Sequence, residues 1–334
     1  MGLPVTVYRW DDAGAPQMSK GVRPSELINV LKKCLVDGYG SKSGAGWSVA
    51  FEDVATNQIV FRNSTLVGSG GFVKFWPKSA SNALQTPIFF QSATWLPSLD
   101  PTWSSTSNRG WRCAVGNSAQ AYKWLVIATA AGFYLMTHGD SPLNVTPFDT
   151  NIMLSFFVGD IHSIIPNDFN RFITFSSPST SDVTDAVSPD WSYGLGYLTN
   201  NSGVAKMHQT DGTDNPKQMV LSLSADAFPT TRINALPSDG LAMLFTPARV
   251  QATSINPAST SPTFLDSDGQ NMCNSNLHPA FRGYLPGMFQ SSFTGYSGSP
   301  LPLIRTVNGV AFYHIPIGHV GAGNLWISTG DWYE

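Results

Sequence analysis

One stretch of this 334-residue chain has a clear helical period, and its isolation constrains the fold. Residues 24–38 read PSELINVLKKCLVDG. Leu27, Val30, Leu31, Cys34 and Leu35 recur at helical spacing and share one face, while Glu26, Asn29, Lys32, Lys33 and Asp37 fall mostly on the other. Pro24 suits the first helical position, and Glu26 suits the positive end of the helix dipole. Ser25 is the rival start, as an N-cap. Gly38 is a natural stop, because it accepts a left-handed backbone at little cost. A lone helix with one apolar stripe must bury that stripe, and almost everything after it reads as strand. The expected fold is therefore mainly β. It is an antiparallel sandwich or barrel-like arrangement, with this helix packed on a sheet built from the residues that follow.

The strand signals come in order. Residues 3–10 read as a short strand, and 11–20 as a loop broken by Gly and Pro. After the helix, residues 38–46 (GYGSKSGAG) read as a flexible connector. Trp47, Val49 and Phe51 alternate with polar or small residues, and Ile59 and Phe61 answer them across a turn at Ala55-Thr56-Asn57, the pattern of a hairpin. Residues 72–76 and 88–95 are further strands, the first stopped by Pro77. The strongest core signal lies at 122–128 and 132–137, two apolar runs around a tight connection at Thr129 to Gly132. Periodicity alone would also allow a buried helix there, and the aromatics favour strands. Residues 152–158 and 171–175 extend the sheet. The polar, Pro-punctuated run 176–190 is the best boundary. It divides a helix-plus-sheet region, 1–178, from a loop-rich β region, 179–334, that is either separate or part of the same domain. In the second region, 218–223, 241–245 and 310–315 read as strands, and 252–262 and 266–276 as exposed excursions.

Composition narrows the function. Hydrophobic residues reach 42%, too many for general disorder. Charged residues are only 12%, about half the usual share, so the polar surface must come from Ser, Thr, Asn, Gln and Gly. That surface suits permanent assembly or polar ligands. With a formal charge of −3 the chain lacks the basic face that nucleic-acid binding needs. Cys34, Cys113 and Cys273 are odd in number and far apart, which fits no disulfide framework and no zinc motif. No signal peptide is expected, and the apolar run at 121–136 is too short to span a bilayer. Asn63, Asn144 and Asn200 begin formal glycosylation sequons, which coincidence explains in a chain this rich in Asn, Ser and Thr.

Motif chemistry is sparse. Residues 295–299 (GYSGS) nearly spell a nucleophile elbow, but Ser299 stands where the motif needs Gly, and no strand-to-helix context surrounds it. His138 with Asp140, and Asp160 with His162, have the i,i+2 spacing that puts a pair on one strand face, where it could hold a metal. The plainer reading is a strand exit at Gly139 or Gly159. Residues 211–214 and 266–269 resemble fragments of calcium loops without the spaced ligands or closing Glu. No catalytic residue, cofactor or metal is expected. The aromatics offer one binding idea, stacking on sugar faces. The loop candidates are Trp95, Trp103, Trp191, Tyr193, Tyr197, Tyr284 and Tyr296, set against the general preference of aromatics for cores. The ending, LWISTGDWYE, is apolar for a chain end. Leu325, Trp326, Trp332 and Tyr333 are therefore candidates for pairing in a sheet or for assembly contacts.

Several stretches carry a family likeness. VYRWDDAGAP at the start, RPSELINVLKKCLVDGYGSKSGAGW, WRCAVGNSAQAYKWLV, FVGDIHSIIPNDF, HPAFRGYLPGMF and the ending LWISTGDWYE together resemble a family of tailed-bacteriophage virion proteins, in patches across the whole chain. The resemblance implies a non-enzymatic structural protein in many copies per particle. Its partners would be further copies of itself and other virion proteins, and its location the virion after synthesis in the host cytoplasm. Tail or baseplate is the first expectation. Head decoration, or a surface module binding host glycans, is the alternative. The chain departs from the family pattern in two places: Arg23 stands where a Ser/Thr cap is expected before the proline, and 159–167 is less acidic. Both touch surface detail.

Overall fold

The computed structural model describes residues 2–99, 113–115, 122–140, 154–176, 195, 205–208, 218–224, 245–252, 264–265, 271–272, 281–291, 301–315 and 324–334. These residues form a mainly β, sandwich-like fold with three antiparallel sheets and one short helix. No sheet closes into a barrel.

In chain order, β1 (Thr6–Arg9) precedes α1 (Pro24–Lys32), and β2 (Ser48–Asp53), β3 (Gln58–Arg62), β4 (Phe72–Pro77), β5 (Ile88–Ala93) and β6 (Cys113–Val115) follow as a five-stranded meander. β7 (Lys123–Ala128), β8 (Gly132–His138) and β9 (Leu154–Asp160) come next. After them, β10 (His162–Ser163) leaves for another sheet before β11 (Phe172–Phe175) returns. A second sheet thus runs β1-β7-β8-β9-β11. β12 (Ala205–His208), β13 (Gln218–Ser224), β14 (Phe245–Ala252), β17 (Phe281–Ser291), β18 (Ile304–Val307), β19 (Val310–Ile315) and β20 (Asn324–Ser328) form the third, in the order β12-β13-β14-β17-β20-β19-β18. β15 (Phe264–Leu265) and β16 (Asn271–Met272) make a separate ribbon.

The β1-β7-β8-β9-β11 sheet is the middle layer, and strand alternation shows it. Trp124, Val126 and Ala128 of β7, Phe133 and Leu135 of β8, and Phe156 and Val158 of β9 share one core with Ile59, Phe61, Val73, Phe75, Ile88 and Phe90 of the meander. The intervening residues Leu125, Ile127, Tyr134, Met136 and Phe157 share the other core with Val250, Leu285, Met288, Ile315, Leu325 and Ile327 of the third sheet. A strand buried on both faces needs no polar alternation, which is why 122–128 and 132–137 read as continuous apolar runs. Phe90 of the meander meets Phe156 of the middle sheet at 4.2 Å between ring centroids and stacks on Phe75 at 5.5 Å. Such pairs add about 0.5–1.5 kcal/mol each beyond their burial.

The helix packs into the first core with Leu27, Val30, Leu31, Cys34 and Leu35 all inaccessible. Pro24 is its first residue. Arg23 holds the extended N-cap position, and its N–H donates to the Glu26 carboxylate at 3.0 Å. Ser25 is therefore not the cap. Its N–H donates instead to the side chain of the distant Asn82, which supplies the missing acceptor from outside the helix. After Lys32 the chain widens into a π-type turn, Lys33–Asp37, closed by the Gly38 N–H on the Lys33 carbonyl at 2.8 Å, with Gly38 at φ 79°. The connector that follows is pinned, contrary to the flexible segment expected. Ala45 and Trp47 donate to the Cys34 and Leu35 carbonyls, Tyr39 and Lys42 exchange backbone bonds, and the Tyr8 hydroxyl donates to the Ser43 carbonyl. These bonds satisfy carbonyls that the end of a helix otherwise leaves open.

Several strands differ from expectation, and β16 falls within the excursion expected at 266–276. Of the segment expected at 241–245, residues 241–244 lie outside the described residues, and Phe245 opens a strand that runs on to Ala252. β17, eleven residues long, was not expected as a strand at all, because Gly283, Pro286 and Gly287 interrupt its pattern. It nonetheless occupies the centre of the third sheet. β14 pairs along one edge, and β20 and the short β10 share the other.

Candidate functional site

The densest polar construction lies where the middle sheet hands over to the third, along residues 159–171. Gly159 has φ 143°, and a Cβ there would fall on the Gly132 backbone, so this glycine lets β9 approach β8 closely. Asp160 comes next, with 2% of its surface exposed. Its carboxylate accepts the Ser69 N–H at 2.7 Å, the Ser69 hydroxyl, and Nε of Arg171 at 3.0 Å. Burial pushes the Asp160 carboxyl pKa upward, and the Ser69 and Arg171 bonds oppose that rise. Its carbonyl accepts the Tyr333 hydroxyl at 2.7 Å, and its N–H donates to Ala131. Burial raises the pKa of the Tyr333 hydroxyl well above its ordinary value, so it remains a donor.

The chain then crosses to the third sheet. His162 and Ser163 pair with Tyr284 and Gly283, where a side chain at position 283 would collide with the His162 carbonyl. The Ser163 hydroxyl donates to Asp168 at 2.7 Å. Asp168 also accepts the Asn170 N–H at 3.1 Å and a bidentate pair from Arg282, Nε at 2.7 Å and Nη2 at 2.6 Å. Both side chains of this ion pair are fully inaccessible. Taking two charges out of water is costly, and only such a saturated, fork-shaped geometry offsets it.

A third contact closes the joint. Trp332 lies over Gly287, where a Cβ would overlap its indole, and its ring meets Tyr134 edge-on at 5.3 Å. The Trp332 indole N–H donates to Ser328, and the Tyr134 hydroxyl to the Pro286 carbonyl at 2.7 Å. Leu3 and Trp332 exchange both backbone bonds, so the two ends of the described chain meet here. Beside these groups lies a cavity of about 390 Å³, lined among others by Leu3, Val67, Asp160, His162, Ile165 and Arg171.

The residues singled out in the sequence fall in different places. Asp160 and His162 belong to this joint, but they do not converge: the Asp160 carboxylate faces Ser69 and Arg171, and the His162 ring lies between Tyr284 and Tyr333. His138 and Asp140 also diverge. His138 is buried with its ring edge-on to Trp10, whereas Asp140 is exposed with Lys20, Lys123 and Tyr122 around it. Among the described residues no three His, Cys, Asp or Glu side chains come together to hold a metal ion. Trp95 is half exposed just after β5, and Tyr284 is half-buried against Phe281 on β17. Trp103, Trp191, Tyr193, Tyr197 and Tyr296 lie outside the described residues, as do 211–214, 266–269 and the serine motif at 295–299. Leu325, Trp326 and Trp332 are buried within the subunit, since β20 is paired on both sides and Trp332 is bridged to Leu3; only Tyr333 of the four keeps partial exposure. Asn63 is buried with its amide donating to Ala131, which leaves no room for a glycan.

Sequence reasoning missed Ser69, Asp168, Arg171 and Arg282. One signal was present: Arg282 is a lone charge in an otherwise apolar and glycine-broken run, FRGYLPGMF. No protein-family model matches the chain, and neither does any curated protein sequence.

Proposed function

We propose that this chain is a non-enzymatic structural subunit of a tailed-bacteriophage virion, carried in the tail or baseplate in multiple copies. The observation that carries the reading is the convergence of three of the stretches that resemble the virion family. Residues 157–169, 281–289 and 325–334 lie far apart in sequence, and they meet at one joint between sheets. The chemistry-bearing side chains in that joint are bonded to the fold itself: Asp168 to Arg282, Trp332 to Ser328 across Gly287, and the Tyr333 hydroxyl to Asp160. Residues used in this way give rigidity between layers, which a subunit bearing load in a particle needs. The low content of charged residues, 12%, supports the same reading, because a surface of short polar side chains loses little entropy when neighbours cover it.

The test is labelling of purified particles with an antibody against the chain, read by electron microscopy. Label on the tail or its tip is the expected result. Label spread over the head makes the chain a decoration protein, and particles without label overturn the proposal. Deletion of 325–334 is a poor alternative, because it removes an interior strand and Trp332 together and would unfold the subunit before assembly could be read.

A further inference from the structure

Two side chains at the joint between sheets are not used up by the fold. Arg171, just before β11, gives only its Nε to Asp160, at 3.0 Å. Among the described residues its two terminal NH2 groups have no acceptor, and the side chain is one-third exposed. His162 lies between the rings of Tyr284 and Tyr333, at 6.4 and 6.3 Å between centroids, and among the described residues neither of its ring nitrogens has a hydrogen-bond partner. Both residues line the cavity of about 390 Å³ beside the joint. The other polar side chains around it are committed: the Asp160 carboxylate to Ser69 and Arg171, the Ser163 hydroxyl to Asp168, and the Tyr333 hydroxyl to the Asp160 carbonyl.

The cavity has the size and lining of a small-ligand site, a class that spans about 300–1,000 Å³ and mixes apolar walls with a few fixed polar groups. Its walls come from separate parts of the chain: Leu3 and Tyr333 near the two ends, Val67 in the 63–71 loop, and the crossover from Asp160 to Ile165. Leu3, Val67 and Ile165 supply the apolar side, and Arg171 and His162 the unspent polar groups. The guanidinium is oriented in advance, because its Nε is tied to Asp160, and Asp160 is itself held by the Ser69 N–H at 2.7 Å and the Ser69 hydroxyl. Those three donors already share the Asp160 charge. The terminal NH2 groups of Arg171 are donors only, and their fork matches the two oxygens of a carboxylate. A neutral imidazole offers one donor and one acceptor, which hydroxyl groups, able to act as either, can meet.

We propose that this cavity binds a small hydroxy-carboxylate, with its carboxylate on the terminal NH2 groups of Arg171, its hydroxyls at His162 and its carbon frame against Val67 and Ile165. Two sources share that chemistry, sugar acids and short aliphatic hydroxy acids. The inference concerns a ligand and stands whether or not the chain belongs to a virion; particle labelling and ligand titration fail independently.

The test is calorimetric titration of the purified full-length chain with glucuronate and with lactate, and with glucose as the neutral control. At least one of the two acids should bind with a Kd of about 1 mM or below, and glucose should bind at least about tenfold more weakly. The tighter acid identifies the source. Arg171→Lys keeps a cation for Asp160 but removes the fork, and His162→Phe keeps a ring between the two tyrosines but removes both nitrogens. Each variant should weaken binding of that acid by about tenfold. Thermal melting checks that both fold, and His162→Phe decides alone if Arg171→Lys does not. Binding of neither acid overturns the proposal. So does glucose binding as tightly as the acids, and so does a folded variant that binds like the wild type.

Discussion

The two faces of the middle sheet are joined to their neighbours by different chemistry. Toward the meander and the helix the contact is mainly apolar, made by Phe75, Phe90, Phe133, Phe156 and the stripe from Leu27 to Leu35, with isolated bonds from the Trp47 indole to the Thr129 carbonyl, from the Asn63 amide to the Ala131 carbonyl and from Ser69 to Asp160. Toward the third sheet a similar apolar core exists, but its edge is stapled by a buried ion pair, a tyrosine hydroxyl on a backbone carbonyl, and an indole lying on a glycine. The first contact joins residues 27–90 with residues 124–158. The second joins residues near 160 with residues near 285 and 330. Apolar contact alone is tolerant of small shifts, and the directional groups at the second contact fix its register.

The sharpest way to break this contrast is Arg282→Met. It strands the Asp168 carboxylate in a dry site and should cost about 3–5 kcal/mol of stability in urea unfolding. Adding Asp168→Leu to the same chain should recover most of the loss, because the pair is replaced by apolar groups of similar volume. A double variant as unstable as the single one would show that the staple gives net stability, not only register. On the first face, Leu31→Ala should cost about 2–5 kcal/mol through the cavity it leaves, and no polar substitution nearby should rescue it.

A smaller effect comes from His138. Burial lowers its pKa to about 4 from the ordinary 6.5, with Lys123 and Arg9 adding to the shift. The unfolded histidine takes up a proton near its ordinary value while the folded one stays neutral to about 4. Stability is therefore lost as pH falls through that window and regained as it rises, by about 3 kcal/mol at most. Asp160, whose pKa burial raises, acts in the opposite sense, favouring the folded state as pH falls. His138→Gln should flatten the decline in melting temperature between pH 7 and pH 4.5; an unchanged decline would place the acid sensitivity elsewhere. The smallest effect is expected from Asn82→Ala, which removes the remote acceptor for the Ser25 N–H and should cost about 1 kcal/mol in the same unfolding assay.

The same contrast explains what could be read from the sequence. The helix, the β2–β3 hairpin and the β7–β8 pair announce themselves by local period, because their partners are a few residues away. The continuous apolar runs of β7 and β8 also carried the fact of two-sided burial. β17 was illegible for a physical reason. Gly283, Pro286 and Gly287 look like loop residues, yet each meets a demand of the joint: Gly283 admits the His162 backbone, Pro286 offers a carbonyl to Tyr134, and Gly287 makes room for Trp332. Asp168 and Arg282, 114 positions apart, leave no periodic trace of their pairing. The candidate site was half legible: Asp160 and His162 stood out by spacing and Tyr284 as an aromatic, though on a strand and not in a loop, but Ser69 and Arg171 are brought by topology alone.

The most direct test of this account is amide hydrogen exchange, compared between the wild type and Arg282→Met under native conditions. The account predicts that protection falls in 281–291 and 324–328, by about a hundredfold, while 58–62 and 72–77 keep theirs. Equal loss across both outer sheets would contradict it, because the two contacts would then be one cooperative unit and not two joined by different means.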